Sequence, residues 1–479
     1  MSDTSEPARL IIAGVASGVG KTTIATGLMA ALVAQGLRVQ GYKVGPDYID
    51  PTYHRVATGR PSYNLDTWLS SQKMVRQRFE AGMHTADIAL IEGVMGLFDG
   101  RKGTLDTAST AEVARLLNAP VLLVIDVAHM GQSAAALVAG FRDLDPRVRV
   151  AGVLLNRVAS PDHEATLRYA IEQWTGIPVF GVLRRDPSLT LPFRHLGLLP
   201  APEANIEVQA LGNTIAQALN IDTIVQLAYA AGPLPPETTE EANRDDVPYH
   251  HSLLETLSKV PSIRVGFALD NAFSFYYPET LEEFARLGVE VVPFSPLNDP
   301  YPPDDLDLLY FGGGFPELFA EQLAANQTML AGVRSVIQCG VPVYAECGGY
   351  MYLGKECIDA ANRSHTVVGV LPYTFRMGTE RAQLGYREII TVRETLIGPA
   401  GTRLRGHEFH WSHLTEPLAR DDAAYEREGG EKTREGYANS TILASYMHVP
   451  FAANPQIMTN LLHNCLLQRE ARNEQERCT

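Results

Sequence analysis

Apolar residues fall along this chain in short β-rich runs separated by stretches of helical spacing. The runs at 10–13, 39–44, 88–91, 121–127, 150–155 and 178–183 alternate with helical patterns, which predicts a largely parallel sheet covered by helices on both faces. One helix is expected from 22 to about 35, and another begins with the capping-box pattern Ser109-Thr110-Ala111-Glu112. The pattern breaks between about 233 and 261, where Pro-Leu-Pro-Pro-Glu-Thr-Thr-Glu-Glu gives way to a charged stretch and then His250-His251. This reads as an interdomain linker. Its acidic segment 240–246 reads as a solvated face, and the two histidines receive no role. A second series of runs follows at 263–268, 289–292, 306–311, 341–345 and 441–445. The expectation is therefore two α/β domains, 1–232 and 262–479, joined by 233–261. No repeat of fixed period is visible, and the polar tail from about 468 reads as a frayed helix end.

Composition narrows the partners. With 479 residues the chain is long enough for two packed cores. A net charge of −15 argues against a nucleic-acid polyanion as main partner. Five cysteines without metal-site spacing suit a reducing cytosol better than a disulfide framework. The first residues lack a basic region followed by an apolar core, and no run of about twenty apolar residues occurs. A cytoplasmic protein without membrane spans is expected; a homo-oligomer is compatible with the sequence.

Candidate chemistry appears first at Gly14-Val-Ala-Ser-Gly18-Val-Gly20-Lys21-Thr22-Thr23, directly behind the first apolar run. Gly18 and Gly20 allow backbone N–H groups to turn inward on an anion, Lys21 reaches outer phosphates, and Thr22 can hold Mg²⁺. Thr23 belongs to the same cradle, and the positive end of the following helix adds to it. The spacing is a longer variant of the usual P-loop, with Gly14 six residues before Gly20. ATP is the expected nucleotide.

Three further segments follow strands, where ligands bind in open α/β sheets. Lys43-Val-Gly-Pro-Asp47-Tyr-Ile-Asp50-Pro offers Lys43 to the γ-phosphate and two acids that could hold Mg²⁺ or meet a substrate group. Glu92-Gly-Val-Met-Gly-Leu-Phe-Asp99 puts an acid at the Walker-B-like position, so Glu92 reads as metal-side and Asp99 as substrate-side. Asn156 closes another strand and could pair with a purine edge or cap the next element.

In the second half, Ala345-Glu-Cys347-Gly348-Gly349 places a cysteine between a strand and a helix start, which exposes a nucleophile and favours its thiolate. Backbone N–H groups of the Gly312-Gly313-Gly314 loop, with that of Gly348, could form an oxyanion hole. His448 supplies a general base about a hundred residues downstream. His407 and His410 have i, i+3 spacing but no further metal ligands, and read as part of a substrate-facing or structural strand. Arg381 and Arg387 could meet substrate carboxylates or lie on the surface. A nucleotide site and a thiol nucleophile together suggest that ATP activates a carboxylate while the thiol releases ammonia from L-glutamine.

At these residues the chain resembles the cobyrinic acid diamide and cobyric acid synthase family. The resemblance rests on Gly18-Val-Gly-Lys-Thr-Thr, Lys43 to Pro51, Thr58-Gly-Arg-Pro-Ser-Tyr-Asn-Leu-Asp-Thr-Trp68, Glu92 to Gly100, Gly312 to Glu317, Glu346 to Gly354 and Gly406 to Trp411, and spans nearly the whole chain. It implies a dethiobiotin-synthetase-like P-loop domain followed by a class I glutamine amidotransferase domain. It also implies amidation of the c and then the a acetate of a cobalt corrinoid, a tetrapyrrole polycarboxylate. By position, Cys347 looks like the nucleophile, His448 its activator, Lys21 and Thr22 the nucleotide anchors, and Asp47, Asp50, Glu92 and Asp99 the acids near ATP and substrate. Pro450 stands where the family often has a second histidine, and no third member of the Cys–His pair is identified. A nickel-sirohydrochlorin a,c-diamide synthase would use the same machinery. A partition-type switch ATPase would carry a lysine where this chain has Ala16.

Overall fold

The computed structural model describes residues 6–194, 197–204, 206–236, 262–379, 383–428 and 433–478. Chain contacts divide it into two compact units, Met1–Asp246 and Val247–Thr479. The proline-rich stretch beyond 236, with 240–246, His250 and His251, lies outside the described residues, as does Arg381.

The first unit is built on β1 (Ala8–Gly14), β2 (Val39–Val44), β3 (Tyr63–Leu65), β4 (Ile88–Glu92), β5 (Val121–Asp126), β6 (Val150–Val158) and β7 (Val179–Arg184). They form one sheet in the order β3-β2-β4-β1-β5-β6-β7, and every pairing is parallel. Six of these strands lie where the apolar runs placed them. The short edge strand β3 was not foreseen. Parallel strands must be covered on both faces, and two separate apolar clusters, one including Ile11 and Ile91, the other Leu10 and Leu90, fill them.

Helix α1 (Lys21–Ala34) is buried along most of its length. A second helix, Val208–Ala218, lies so close that a Cβ at Gly27 would come 2.3 Å from Ile215 Cγ1. Burial from sheet and helix together explains why α1 is apolar all round, and it holds the loop ahead of α1 in place. The capping-box expectation is met in half at Thr110–Leu116: Ser109 Oγ accepts from Glu112 N at 3.1 Å, while Glu112 Oε2 accepts from Ala108 N at 2.7 Å and not from Ser109 N.

The second unit carries a nine-stranded sheet of two kinds. Glu290–Phe294, Arg264–Ala268, Leu308–Phe311, Val343–Glu346 and Ile442–Ser445 are neighbours in that order and parallel. Arg434–Ala438, Ala423–Arg427, Gln383–Thr391 and Arg403–His410 extend it antiparallel. The parallel half matches the sequence pattern; the antiparallel half was not foreseen. The last helix, Pro455–Cys478, continues through the polar tail. No helix among the described residues is long and apolar enough to cross a membrane.

Candidate active site

At the C-terminal edge of the first sheet, Gly20 takes φ 97° and leads into α1 without any side-chain cap. Three other helices of this unit have a serine accepting from their first turn. The first-turn N–H groups of α1 therefore carry no side-chain cap, the arrangement in which a helix start takes an anion. Lys21 Nζ spans the loop, donating to Ala16 O at 3.0 Å and Met95 O at 2.6 Å. Burial, then the charge of Lys43, push Lys21 down to about 8, a state that a polyphosphate would reverse. Gly18, at φ 76°, borders open space, and Thr23 Oγ1 reaches Leu189 O at 3.4 Å. Asn156 Nδ2 donates to Val19 O at 2.8 Å and its Oδ1 accepts from Arg157 N at 2.9 Å. It thus braces the phosphate loop itself, keeping one N–H and one lone pair for a ligand.

Parallel register brings the acids together. Lys43 on β2 and Ile12 on β1 both pair with Glu92 on β4. Glu92 is fully buried: Oε1 accepts from Thr22 Oγ1 at 2.7 Å and Lys43 Nζ at 3.0 Å, and Oε2 lies 2.8 Å from His54 Nε2. Burial alone would raise its pKa, but the Lys43 charge and the hydrogen bonds from His54 and Thr22 hold it far below the usual carboxylate range. Lys43 also pairs with Asp50 at 2.5 Å. Burial, with Asp47 and Glu92 nearby, raises Asp50 well above its ordinary value against the pull of Lys43. Asp47 Oδ1 caps helix α2 (Asp50–Thr58), accepting from Ile49 N at 2.7 Å and Asp50 N at 3.1 Å. Asp99 Oδ2 accepts from Gly96 N at 2.9 Å and closes the loop that receives Lys21.

No group of three or more His, Cys, Asp or Glu side chains among the described residues is arranged to hold a metal. A phosphate-bound Mg²⁺ needs only a hydroxyl and one or two carboxylates beside phosphate oxygens and water. Thr22 and Glu92, already in contact, fit that donor set, and Lys43 and His54 share the same carboxylate.

In the second unit Cys347 follows the strand Val343–Glu346 at φ 47°, ψ −99°, and starts the helix Gly348–Leu353. Such a conformation costs a non-glycine residue about 1–3 kcal/mol. It is held by Cys347 N donating to Ser445 O at 2.7 Å and Gly349 N donating to Gly312 O at 3.1 Å. His448 is hydrogen-bonded to Cys347. Burial opposes its charged form, yet the bonds and charges of Cys347 and Glu346 raise it to about 10. Its backbone pairs with His407 in both directions, at 2.9 and 3.1 Å, and the two rings stack at 4.9 Å. Burial and the charge of His448 keep His407 neutral.

The glycine loop closes over this pair. A Cβ on Gly313 would lie 2.5 Å from His448 Cε1; one on Gly348 would lie 3.1 Å from Gly314 N. Gly314, at φ 156°, has backbone 2.1 Å from where its Cβ would be. Gly348 N belongs to the first turn of its helix, whose N–H groups have no partner within the helix.

Two domain families match the chain. One, described as a CobQ/CobB/MinD/ParA nucleotide binding domain, covers residues 10–199. The other, a CobB/CobQ-like glutamine amidotransferase domain, covers 264–456. The cobyrinate a,c-diamide synthase of Dehalococcoides mccartyi (strain ATCC BAA-2266 / KCTC 15142 / 195) is 40% identical over 95% of this chain and 97% of its own. That of Priestia megaterium is 40% identical over 97% and 99%. The hydrogenobyrinate a,c-diamide synthase of Streptomyces coelicolor is 42% identical over 95% and 97%. The chain belongs to the a,c-diamide synthase family.

Membership makes it a glutamine-dependent ligase with a nucleotide-binding domain. This chain carries a CobB/CobQ-like glutamine amidotransferase half beside the nucleotide-binding domain. In this family member the structure groups Lys21, Thr22, Lys43, Asp50 and Glu92 in one cluster, and Cys347, His448, Gly313, Gly314 and Gly348 in another. Arg387 is not free for a substrate carboxylate, because it pairs with buried Glu408 at 2.8 Å. Arg427 takes the other Glu408 oxygen. His410 Nδ1 faces Ser412 O at 2.7 Å, and its ring stacks on Tyr446, which makes it part of the strand's packing.

Two site residues escaped the sequence reading. His54 follows Asp50 by four residues on α2, so both face the β2–β4 edge; that spacing was a usable signal. Glu346 stands beside Cys347, but nothing in the sequence shows its side chain turning toward His448, 3.6 Å away.

Replacing Gly313 with Ala is expected to lower glutaminase kcat by about 10²-fold or more, since displacing a catalytic group by as little as about 1 Å carries that cost. Steady-state glutamine hydrolysis checks this; an unchanged kcat would show that the loop does not touch the reacting histidine.

Proposed function

We propose that the chain catalyses the ATP-dependent and glutamine-dependent amidation of the a and c acetate carboxylates of cobyrinate, the substrate its relatives are named for. The observation that carries this reading is the presence in one chain of two separately assembled sites: the Lys21–Lys43–Glu92–Asp50 cluster and the Cys347–His448 pair.

In the second unit the Cys347 sulfur attacks the side-chain amide carbon of glutamine as the thiolate, beside the protonated His448. N–H groups of Gly314 and Gly348 receive the developing oxyanion. His448 then gives the proton to the leaving nitrogen, so ammonia departs and a thioester remains. Water, deprotonated by His448, hydrolyses the thioester to glutamate and restores the thiol.

In the first unit the uncapped start of α1, with Gly18, Gly20 and Thr23, holds the phosphates, and Lys21 and Lys43 sit where charge accumulates. Asn156 braces the loop and offers its remaining polar atoms to the nucleotide. Thr22, Glu92 and Asp47 would hold Mg²⁺, which when bound neutralises the phosphates. Asp50 and Asp99 stand on the substrate side. A substrate carboxylate oxygen attacks the γ-phosphorus and releases ADP. Ammonia attacks the resulting acyl phosphate, phosphate leaves, and an amide forms. We assign the boundary between the two activities to the 233–261 stretch.

Similar identities to relatives named for cobyrinate and for hydrogenobyrinate make the ring metal the point to test. Cobyrinate, hydrogenobyrinate and nickel-sirohydrochlorin are to be offered separately with ATP, Mg²⁺ and glutamine, and products resolved by mass spectrometry. Diamide from cobyrinate is expected; diamide from nickel-sirohydrochlorin alone would overturn the assignment.

A further inference from the structure

After His448 the chain runs Val-Pro-Phe-Ala-Ala-Asn, so none of these six residues can bring a carboxylate to the imidazole. The group that can is on the opposite side of the nucleophile. Along Val343–Glu346 side chains alternate between faces, so Tyr344 and Glu346 share one face. Tyr310 on the adjacent strand is Tyr344's register partner, with ring centroids 5.0 Å apart.

Glu346 is buried and its orientation is over-determined. Oε1 accepts from the Tyr344 hydroxyl at 2.7 Å and from Val449 N at 3.0 Å, and the Tyr310 hydroxyl also bonds to this carboxylate. With Oε1 anchored, Oε2 is directed at His448 Nδ1, 3.6 Å away. Among the described residues, His448 is the only cationic side chain paired with Glu346. A carboxylate this deeply buried is costly without a cationic partner, so its place beside the histidine has a specific electrostatic counterpart. The far side of the imidazole is limited by the stacked His407 ring and by Gly313. Glu346, His407 and Gly313 thus border the ring on three sides.

We propose that Glu346, the residue immediately before the nucleophile, is the positioning residue for His448, fixing its tautomer and orientation through Nδ1. It acts through the histidine and touches neither glutamine nor the thioester. This rests on the glutaminase reading above. It assigns the third member of the Cys–His pair to a position ahead of the cysteine.

The test is Glu346→Gln in the full chain, a near-isosteric change that keeps an acceptor for Tyr344 and Val449. Glutaminase kcat is expected to fall by about 10²–10⁴-fold, as when a histidine loses the acid that sets its tautomer. KM for glutamine should stay within about threefold, because glutamine binding is untouched. Ammonia-dependent synthesis and thermal melting should stay near those of the parent. A kcat within threefold of the parent overturns the proposal. A parent that does not hydrolyse glutamine instead overturns the functional reading. Should Glu346→Gln lose ammonia-dependent synthesis as well, the decision passes to Tyr344→Phe, which removes one anchor of Oε1. That variant is expected to lose about fivefold in kcat, the worth of one neutral hydrogen bond, at constant KM; an unchanged kcat overturns the assignment.

Discussion

Cys347→Ala is expected to abolish glutamine hydrolysis while leaving synthesis from free ammonia intact. Loss of a hydrolytic nucleophile costs on the order of 10⁶-fold in kcat, so glutamine-dependent amidation should fall below detection. On the proposed division of labour, carboxylate activation draws on the Lys21–Glu92 cluster, so ammonium salts should restore amide formation to the parental rate. Lys21→Ala should do the reverse. Its Nζ spans the phosphate loop between Ala16 and Met95, and removing a charge aimed at a developing anion costs about 10²–10³-fold. Both nitrogen sources should then fail, while glutamine hydrolysis measured without ATP persists. Product analysis with each nitrogen source checks this; equal loss of ammonia-dependent synthesis in both variants would contradict the division of labour.

Glu92→Ala should produce the largest loss of stability in the first unit. The carboxylate is fully buried and answers Thr22, Lys43 and His54 together. Deleting one side of a buried charge pair costs about 3–5 kcal/mol, because the remaining cation loses its partner. For a unit of this size that is a fall in Tm on the order of 10 °C. Glu92→Gln keeps the volume and an acceptor for Thr22 but removes the charge that Lys43 and His54 face. It should melt between Glu92→Ala and the parent, and lose synthesis with either nitrogen source. Differential scanning calorimetry of the three proteins checks the order; a Glu92→Ala protein as stable as the parent would mean that the buried cluster contributes nothing to folding.

The nucleotide cluster was legible because a parallel sheet exposes the ends of its strands along one edge. Residues at the ends of these strands, or where the loop after them enters a helix, such as Lys43, Glu92 and Lys21, converge there. What the runs do not encode is strand order. The placement of β4 between β1 and β2 is decided by packing among strands of similar composition, and that placement gives Glu92 its contact with Lys43. His54 was signalled by its spacing from Asp50 on α2, but its partner Glu92 is set only once α2 lies over that edge. The Cys347 elbow could be read from its local pattern, and His448 from its strand-end position. Glu346 was not, because the direction of a side chain at a strand end depends on what its neighbours bury. In the antiparallel half, alternation is diluted by buried charge: Glu408 on Arg403–His410 is completely enclosed between Arg387 and Arg427. An ion pair inside a sheet reads in sequence as surface.

Under the proposed function, one chain makes ammonia at Cys347 and spends ATP on a corrinoid carboxylate. The most direct measurement follows amide-nitrogen-labelled glutamine into cobyrinate with ATP and Mg²⁺ present, counting label in the product against ADP released. The account predicts that both new amides carry the label, with one ADP formed for each. Unlabelled amides, or ADP released without amide formation while labelled ammonia accumulates, would contradict it.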